Sequence, residues 1–308
     1  MRGKLFWIAA ITVLAALPPV ASALGEPFYI DLVRRIMILA IAAASLNLIL
    51  GYGGMVSFGH AAYLGIGAYS VSILAFYGIT SGWLQWAVAI GASALVALAI
   101  GAVSIRASGV YFIMITLAFT QMLYYLGISL EVFGGDDGMR LKAKSALPLV
   151  DLGDAVQFYY VALVLMITCV FIIFKITNSR FGMVLRASKS NEARSRAIGF
   201  SPYPYRLAAF VIAGAMCGLA GALYANHTNY IVPGFMSWVQ SGDLMFMVIL
   251  GGMGTTAGPM LGAFALLIVE EILKGWTEHW QLWLGPLLIL SVLFFKRGLA
   301  GLLERRDA

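Results

Sequence analysis

Between Leu5 and Phe295 the chain returns repeatedly to apolar runs of about twenty residues, the length a helix needs to cross a bilayer core of about 30 Å. A run such as Val161 to Phe174 carries no charge and does not alternate between polar and apolar positions. It reads as a helix, not as a strand of a transmembrane barrel. Only 11% of the 308 residues are charged and 61% are hydrophobic, against roughly 25% charged in soluble domains. A soluble globular fold is excluded, and the expected class is an all-α polytopic membrane protein with one transmembrane domain over residues 1–308.

The periodicity predicts helices near 5–24, 34–51, 56–77, 83–105, 109–130, 158–176, 206–226, 242–254, 258–273 and 281–296, about ten membrane segments. The pair at 242–273 is broken by GGMGTTAGP, from Gly251 to Pro259. Arg2 and Lys4, the run Leu5 to Leu17 and the sequence Ala21-Ser22-Ala23 imitate a secretory signal. The segment is also long enough to span and is kept as the first helix.

Charge orients the segments. With ten alternating crossings, 14 of the 20 basic residues share one face with only Glu192, Glu304 and Asp307. That face is cytoplasmic by the positive-inside rule and carries both termini. Arg34 and Arg35 fall on the outer side, where they are expected to snorkel to lipid headgroups. Two outer loops are long enough for structure of their own: Glu131 to Gln157, with GGDDG at Gly134 to Gly138, and His227 to Ser241, with Pro233-Gly234.

Polar residues in apolar surroundings need partners, so they face protein or water. The candidates for a translocation path are Asn47, Ser57, His60, Thr116, Thr120, Gln121, Asp243 and Thr255. Gly59, Ala62, Gly65 and Ala68 suit close helix packing, while Ser57 and His60 fit either packing or a path. Asp243 is expected as a helix N-cap near an outer mouth, and Glu270 and Glu271 as solvated. Gly53-Gly54-Met55 is echoed by Gly251-Gly252-Met253 in the second half, a pattern transporters build from repeats and chance also produces. Cys169 and Cys217 lie in apolar segments and read as small buried hydrophobes.

No GxxxxGK[ST], HExxH or CxxC motif occurs, and His60, His227 and His279 are dispersed. Neither ATP hydrolysis nor a metal site is therefore assigned to this chain. The charge of +6 belongs to membrane topology, and no nucleic acid is expected. The strongest polar interruption is residues 178–206, NSRFGMVLRASKSNEARSRAIGFSPYPYR. Within it a short helix over 190–198 is predicted, with Ser190 or Asn191 as N-cap, Glu192 in the first turn and Gly199 as C-cap. Ala193 and Ala197 share one face of it. Such a helix can lie against headgroups or enter a groove on a cytosolic partner.

The ordered series LNLILGYGGMVSFGHAAYLGIGAYS (46–70), RASGVYFIMITLAFTQ (106–121), GGDDG (134–138), RFGMVLRASKSNEARSRAIGF (180–200), YRLAAFVIAGAMCGLAGALYA (205–225) and LMFMVILGGMGTTAGPMLGA (244–263) resembles the permease subunits of bacterial branched-chain amino acid ABC transporters, most of all the LivM type. The resemblance implies a multi-pass inner-membrane permease. By it, Glu192, Ala193, Ala197 and Gly199 match the loop with which importer permeases dock onto their ATPases, and Arg186, Ser190 and Asn191 are grouped with them. No Ile-x-Leu-Pro follows Gly199; Pro202 and Pro204 stand there instead. The implied partners are a second, LivH-like permease subunit, two ABC ATPase subunits, a periplasmic substrate-binding protein and membrane lipid. This chain is expected to bind no cofactor, ATP and magnesium being held by the ATPases. Transport of urea or short amides remains open, as does an ion-coupled secondary transporter, for which Asp243 is a poor carboxylate. A passive channel leaves the basic loop without a task.

Overall fold

The run MILAIAAASLN (37–47) is apolar all round and rich in alanine, a composition for a helix buried on every side. In a computed structural model, which describes residues 2–148, 150–294 and 298–301, that run lies in helix α2 (Pro27–Asn47), continued by a π-helical turn, Leu48–Tyr52. The apolar window of this span is 89% buried, and α2 packs against α6, α9, α10 and α11. α2 is the central helix.

The other helices are α1 (Arg2–Leu24), α3 (His60–Phe76), α4 (Gly82–Ser104), α5 (Val110–Ser129), α6 (Ala155–Thr177), α7 (Arg180–Ser190), α8 (Glu192–Ala197), α9 (Pro202–Thr228), α10 (Trp238–Gly251), α11 (Gly258–Trp276) and α12 (Trp280–Phe294). The chain is mostly helical, and among the described residues five helices are long and apolar enough to cross a membrane: α2 with its π turn, α4, α5, α6 and α9. Each apolar segment read from the sequence falls on one helix as far as the described residues reach; residues 295 and 296, the end of the last expected segment, lie outside them, as does the expected C-terminal tail beyond 301. α3 begins at His60, four residues later than predicted, because 53–59 form an irregular link after the π turn. α1 packs on α2 and α6, where Tyr159 and Tyr160 donate to the carbonyls of Leu14 (2.7 Å) and Ala15 (3.1 Å).

Small residues decide how closely the helices approach. A Cβ on Gly67 would lie 2.0 Å from the Gly218 carbonyl oxygen, and one on Gly221 only 1.9 Å from that of Leu64. α3 and α9 thus meet backbone to backbone, as small-residue interfaces permit. α4 seals the pair from one side, with Ser93 Oγ donating to the Tyr63 carbonyl (3.3 Å). α5 is the least enclosed long helix, with 22% of its window buried. It touches the bundle through Phe112, Thr116, Thr120 and Gly127.

At the end away from α7 and α8, the two long loops pair with each other. Strand β1 (Met139–Arg140) runs antiparallel to β2 (Tyr230–Ile231). Beneath them Asn226 Oδ1 accepts from Ser145 N (2.8 Å), and Ser145 Oγ donates to Gln85 Oε1 (2.5 Å). The expected snorkelling of Arg34 is corrected here. Arg34 is buried, paired with Asp31, donates through Nε to His227 Nδ1 (3.1 Å), and lies 4.7 Å over the Phe158 ring. α6 and α9 close over α2 at that level, so the guanidinium finds protein partners instead of headgroups. Glu270 is likewise not a solvated acid. Its side chain is largely enclosed and pairs with Arg35 (3.4 Å) and Lys274 (2.6 Å).

Gly221→Val should destabilise the bundle by about 1–3 kcal/mol, because a backbone carbonyl cannot yield to the new side chain. Gly91→Ala, where nothing lies within 4 Å, should be neutral or stabilising by up to about 1 kcal/mol. Thermal unfolding of the detergent-solubilised chain distinguishes the two; equal effects would contradict this account of the α3–α9 contact.

Candidate functional site

The basic loop folds into two short helices because its polar residues satisfy their ends. Ser179 Oγ accepts from Gly182 N at the start of α7, and Arg186 reaches back to the Thr177 carbonyl at the end of α6 (3.0 Å). Ser190 closes α7, and Asn191 is the N-cap of α8, its Oδ1 accepting from Arg194 N (2.8 Å). Gly199, at φ +90°, ends α8, with its N–H bonded to the Arg196 carbonyl and Phe200 N bonded to that of Ser195. A left-handed residue is needed there, and glycine takes it without a Cβ clash.

Glu192 is held within the chain. Its carboxylate accepts from Arg196 (2.5 Å) and from Arg206 on α9 (2.7 Å), and Arg206 also donates to the Ser188 carbonyl (3.0 Å). Partial burial raises the carboxyl's pKa, but the two guanidinium groups outweigh it and hold the group below its ordinary value. Ala193 and Ala197 are exposed, and beside them Ile198 and Phe200 are 65% and 43% exposed. α8 therefore turns its two alanines outward beside the exposed Arg194 and Arg196, with Ile198 and Phe200 exposed just after it, while its acid is tied back to Arg206.

Inside this loop the chain just before the first glycine echo meets the chain just after the second, at Gly51 and Gly254. A Cβ on Gly51 would lie 2.4 Å from Gly254 N and 2.0 Å from Asn47 Oδ1. Only glycine allows that crossing. Asn47 closes it, accepting from Gly254 N (2.9 Å) and donating to the Thr255 carbonyl (2.9 Å). Thr255 Oγ1 in turn donates to the Gly252 carbonyl and accepts from Gly258 N, bridging the gap between α10 and α11. Lys189 of α7 reaches the same place, with its ammonium 2.6 Å from the Gly51 carbonyl oxygen. Behind them, Leu299 N donates to the Leu250 carbonyl (2.9 Å).

The remaining candidates divide. Ser57 and His60 are fully buried; Ser57 Oγ accepts from Gly59 N (3.1 Å), and His60 Nε2 is 2.8 Å from Ser45 Oγ. They serve the packed interior of this conformation. Thr116 and Thr120 bond to carbonyls one turn back on α5, and Thr120 also reaches the Phe58 carbonyl (3.3 Å), fixing α5 to the irregular link. Gln121 stands beside them, partly exposed. Asp243 is not an N-cap. Ser237 holds that position and Asp243 sits in the second turn of α10, in the field of Glu270 and Arg35. A cavity of about 170 Å³ lies between the link and the loop, lined by Gly53, Gly54, Met55, Phe112, Glu192 and Arg206 among others.

Three long-range contacts escaped the sequence reading: Lys189 to Gly51, Arg206 to Glu192, and Ser241, whose Oγ accepts from Ala61 N at the start of α3 (3.0 Å). Arg206 carried a signal, since a cation near a helix N-terminus opposes the dipole unless an acid answers it. Lys189 and Ser241 bond across 138 and 180 residues, and no local pattern announces them.

The family described as "Branched-chain amino acid transport system / permease component" matches residues 28–295, covering every helix of the site. The chain belongs to this permease family. It is 28% identical over 323 residues to the high-affinity branched-chain amino acid transport system permease protein LivM of Salmonella typhimurium, covering 97% of this chain and 75% of that one. A probable branched-chain amino acid transport permease protein LivM of Methanocaldococcus jannaschii is 26% identical over 79% of this chain and 82% of its own length. The autoinducer 2 import system permease protein LsrC of Yersinia pseudotuberculosis is 29% identical over only 42% of this chain and 38% of its own. No solved structure matches. These relatives are transport permeases, not enzymes, and this permease has the helical membrane architecture that such a role needs.

Two outcomes follow for the site. Asn47→Ala leaves Gly254 N and the Thr255 carbonyl unpaired and should cost about 1–3 kcal/mol in thermal unfolding. Because the Glu192 carboxyl is held below its ordinary value, its contribution is complete above the normal carboxylate range and is lost as pH falls through that lowered value. Hydrogen exchange of residues 190–200, corrected for intrinsic rates, should accelerate only in that acidic window, and Glu192→Gln should accelerate it at neutral pH.

Proposed function

We propose that the chain is one permease half of a bacterial inner-membrane ABC importer for branched-chain amino acids, with ten membrane segments, both termini cytoplasmic, and α8 as the element on which an ATPase docks. The observation that carries the reading is the construction of the loop. α8 turns Ala193 and Ala197 outward, with Ile198 and Phe200 exposed just after it, while Glu192, Arg186 and Lys189 anchor the same loop to α9, α6 and the π turn that continues α2. A small-residue apolar face on a rigid mount suits a groove on a cytosolic protein, and the mount gives force a route into the membrane helices. ATP and magnesium belong to two ATPase subunits in this reading. A second, LivH-like permease subunit completes the path, and the paired outer loops around β1 and β2 face a periplasmic binding protein. Asn47, Thr255, Thr116, Thr120, Gln121 and Asp243 remain the polar groups available to the path when the bundle rearranges.

Ala193→Trp together with Ala197→Trp should lower leucine uptake by about tenfold or more while leaving membrane abundance unchanged, with the ATPase lost on co-purification. Unchanged uptake would sink the docking assignment. Substrate class is read separately from the co-purifying binding protein: bound labelled leucine should be displaced by isoleucine and valine. Displacement by urea instead would select the amide reading.

A further inference from the structure

We propose that Lys189 is the residue that transmits movement of the docking loop to the paired glycine breaks of α2 and α10–α11, an inference that rests on the docking role of α8. Lys189 is in the last turn of α7, immediately before the Asn191 cap of α8. Its ammonium donates across 138 residues to the Gly51 carbonyl at 2.6 Å, and its aliphatic stem packs on Gly54, where an added Cβ would lie 2.8 Å from Lys189 Cγ. Gly51 is the crossing point of the two breaks, and Asn47, one turn earlier, clamps the partner break at Gly254 and Thr255.

The π turn makes this contact a lever. At this turn the Ile49 and Leu50 carbonyls still accept from Met55 N and Gly54 N, while that of Gly51 accepts from Lys189, and the turn carries the negative end of the dipole. A charge-assisted bond there is stronger than a neutral one and is directional. The other two charged ties of the loop end on segments flanking it: Arg186 on the end of α6, and Glu192 on the start of α9. Lys189 alone among these three reaches α2, the helix around which the bundle is packed. A shift of α8 therefore pulls on Gly51, and the Gly51–Gly254 contact passes the displacement to the gap between α10 and α11. π turns occur at functional sites because their weaker register yields locally.

The test uses the complete transporter, with its ATPases and binding protein, in proteoliposomes. Lys189→Met keeps the stem and removes the charge. It should retain the ATPase on purification and hydrolyse ATP, but leucine moved per ATP hydrolysed should fall by about fivefold or more. Lys189→Arg keeps a charged donor and should recover more than about half of that ratio. An unchanged ratio in Lys189→Met overturns the inference while leaving the docking role intact. Loss of the ATPase or of membrane abundance in that variant makes Lys189 a structural support, and also overturns it. If the unmodified chain retains no ATPase, the docking reading fails and this inference with it.

Discussion

The structure depends on a contact that two glycines make possible and one amide closes. Gly51 and Gly254 bring the ends of two broken segments within backbone distance, and Asn47 satisfies a donor and an acceptor of the facing loop. In a bilayer, backbone groups freed by a break cannot turn to water, so irregular chain survives only where protein supplies the missing partners. Asn47 and Thr255 supply them here. The same contact places the ends of α2 and α10 side by side, and the basic loop is bound to that place through Lys189.

Burial and polarity are distributed accordingly. α2 and α9 form an inner pair, packed through alanine and glycine, while α4, α5 and α6 give much of their surface to their surroundings. Charges at the ends of this frame are paired, and the enclosed member of each pair has a partner: Arg34 with the exposed Asp31 and with His227, Glu270 with Arg35, and Arg206 with Glu192, which also takes the exposed Arg196. An unpaired ion at such depth is costly, and pairing is what makes each of them tolerable. Their positions at the two ends of the bundle leave its middle to neutral hydroxyls, amides and one histidine.

The proposed role divides the labour, with the helices carrying the path and the loop carrying the connection. α8 is too short to be stable alone. Its shape comes from Asn191 and Gly199 at its ends and from the Glu192–Arg206 bond. In the docking role proposed above, a helix so fixed would move as one body with the helices to which it is tied, the mechanical requirement for passing a displacement across the membrane surface.

The apolar runs, the break at Gly251 to Pro259, the short helix with Asn191 and Gly199 at its ends, and the exposed Ala193–Ala197 face were all legible in the sequence. Each depends on local periodicity, capping chemistry or backbone freedom, which act within a few residues. The enclosure of Arg34 and Glu270, the place of Asp243 inside α10 and the inward role of Glu192 were not, and for Ser57 and His60 the sequence left packing and path both open. Those depend on which helix packs beside which, and a charge at a helix end looks the same in a sequence whether lipid or another helix faces it. The meeting of Gly51 with Gly254 and the reach of Lys189 belong to that second class. Sequence determined that this chain would be a bundle of broken apolar helices with one polar loop. Only tertiary packing decided that the breaks and the loop share a single point, because contacts between residues over a hundred positions apart exist only once the bundle has closed.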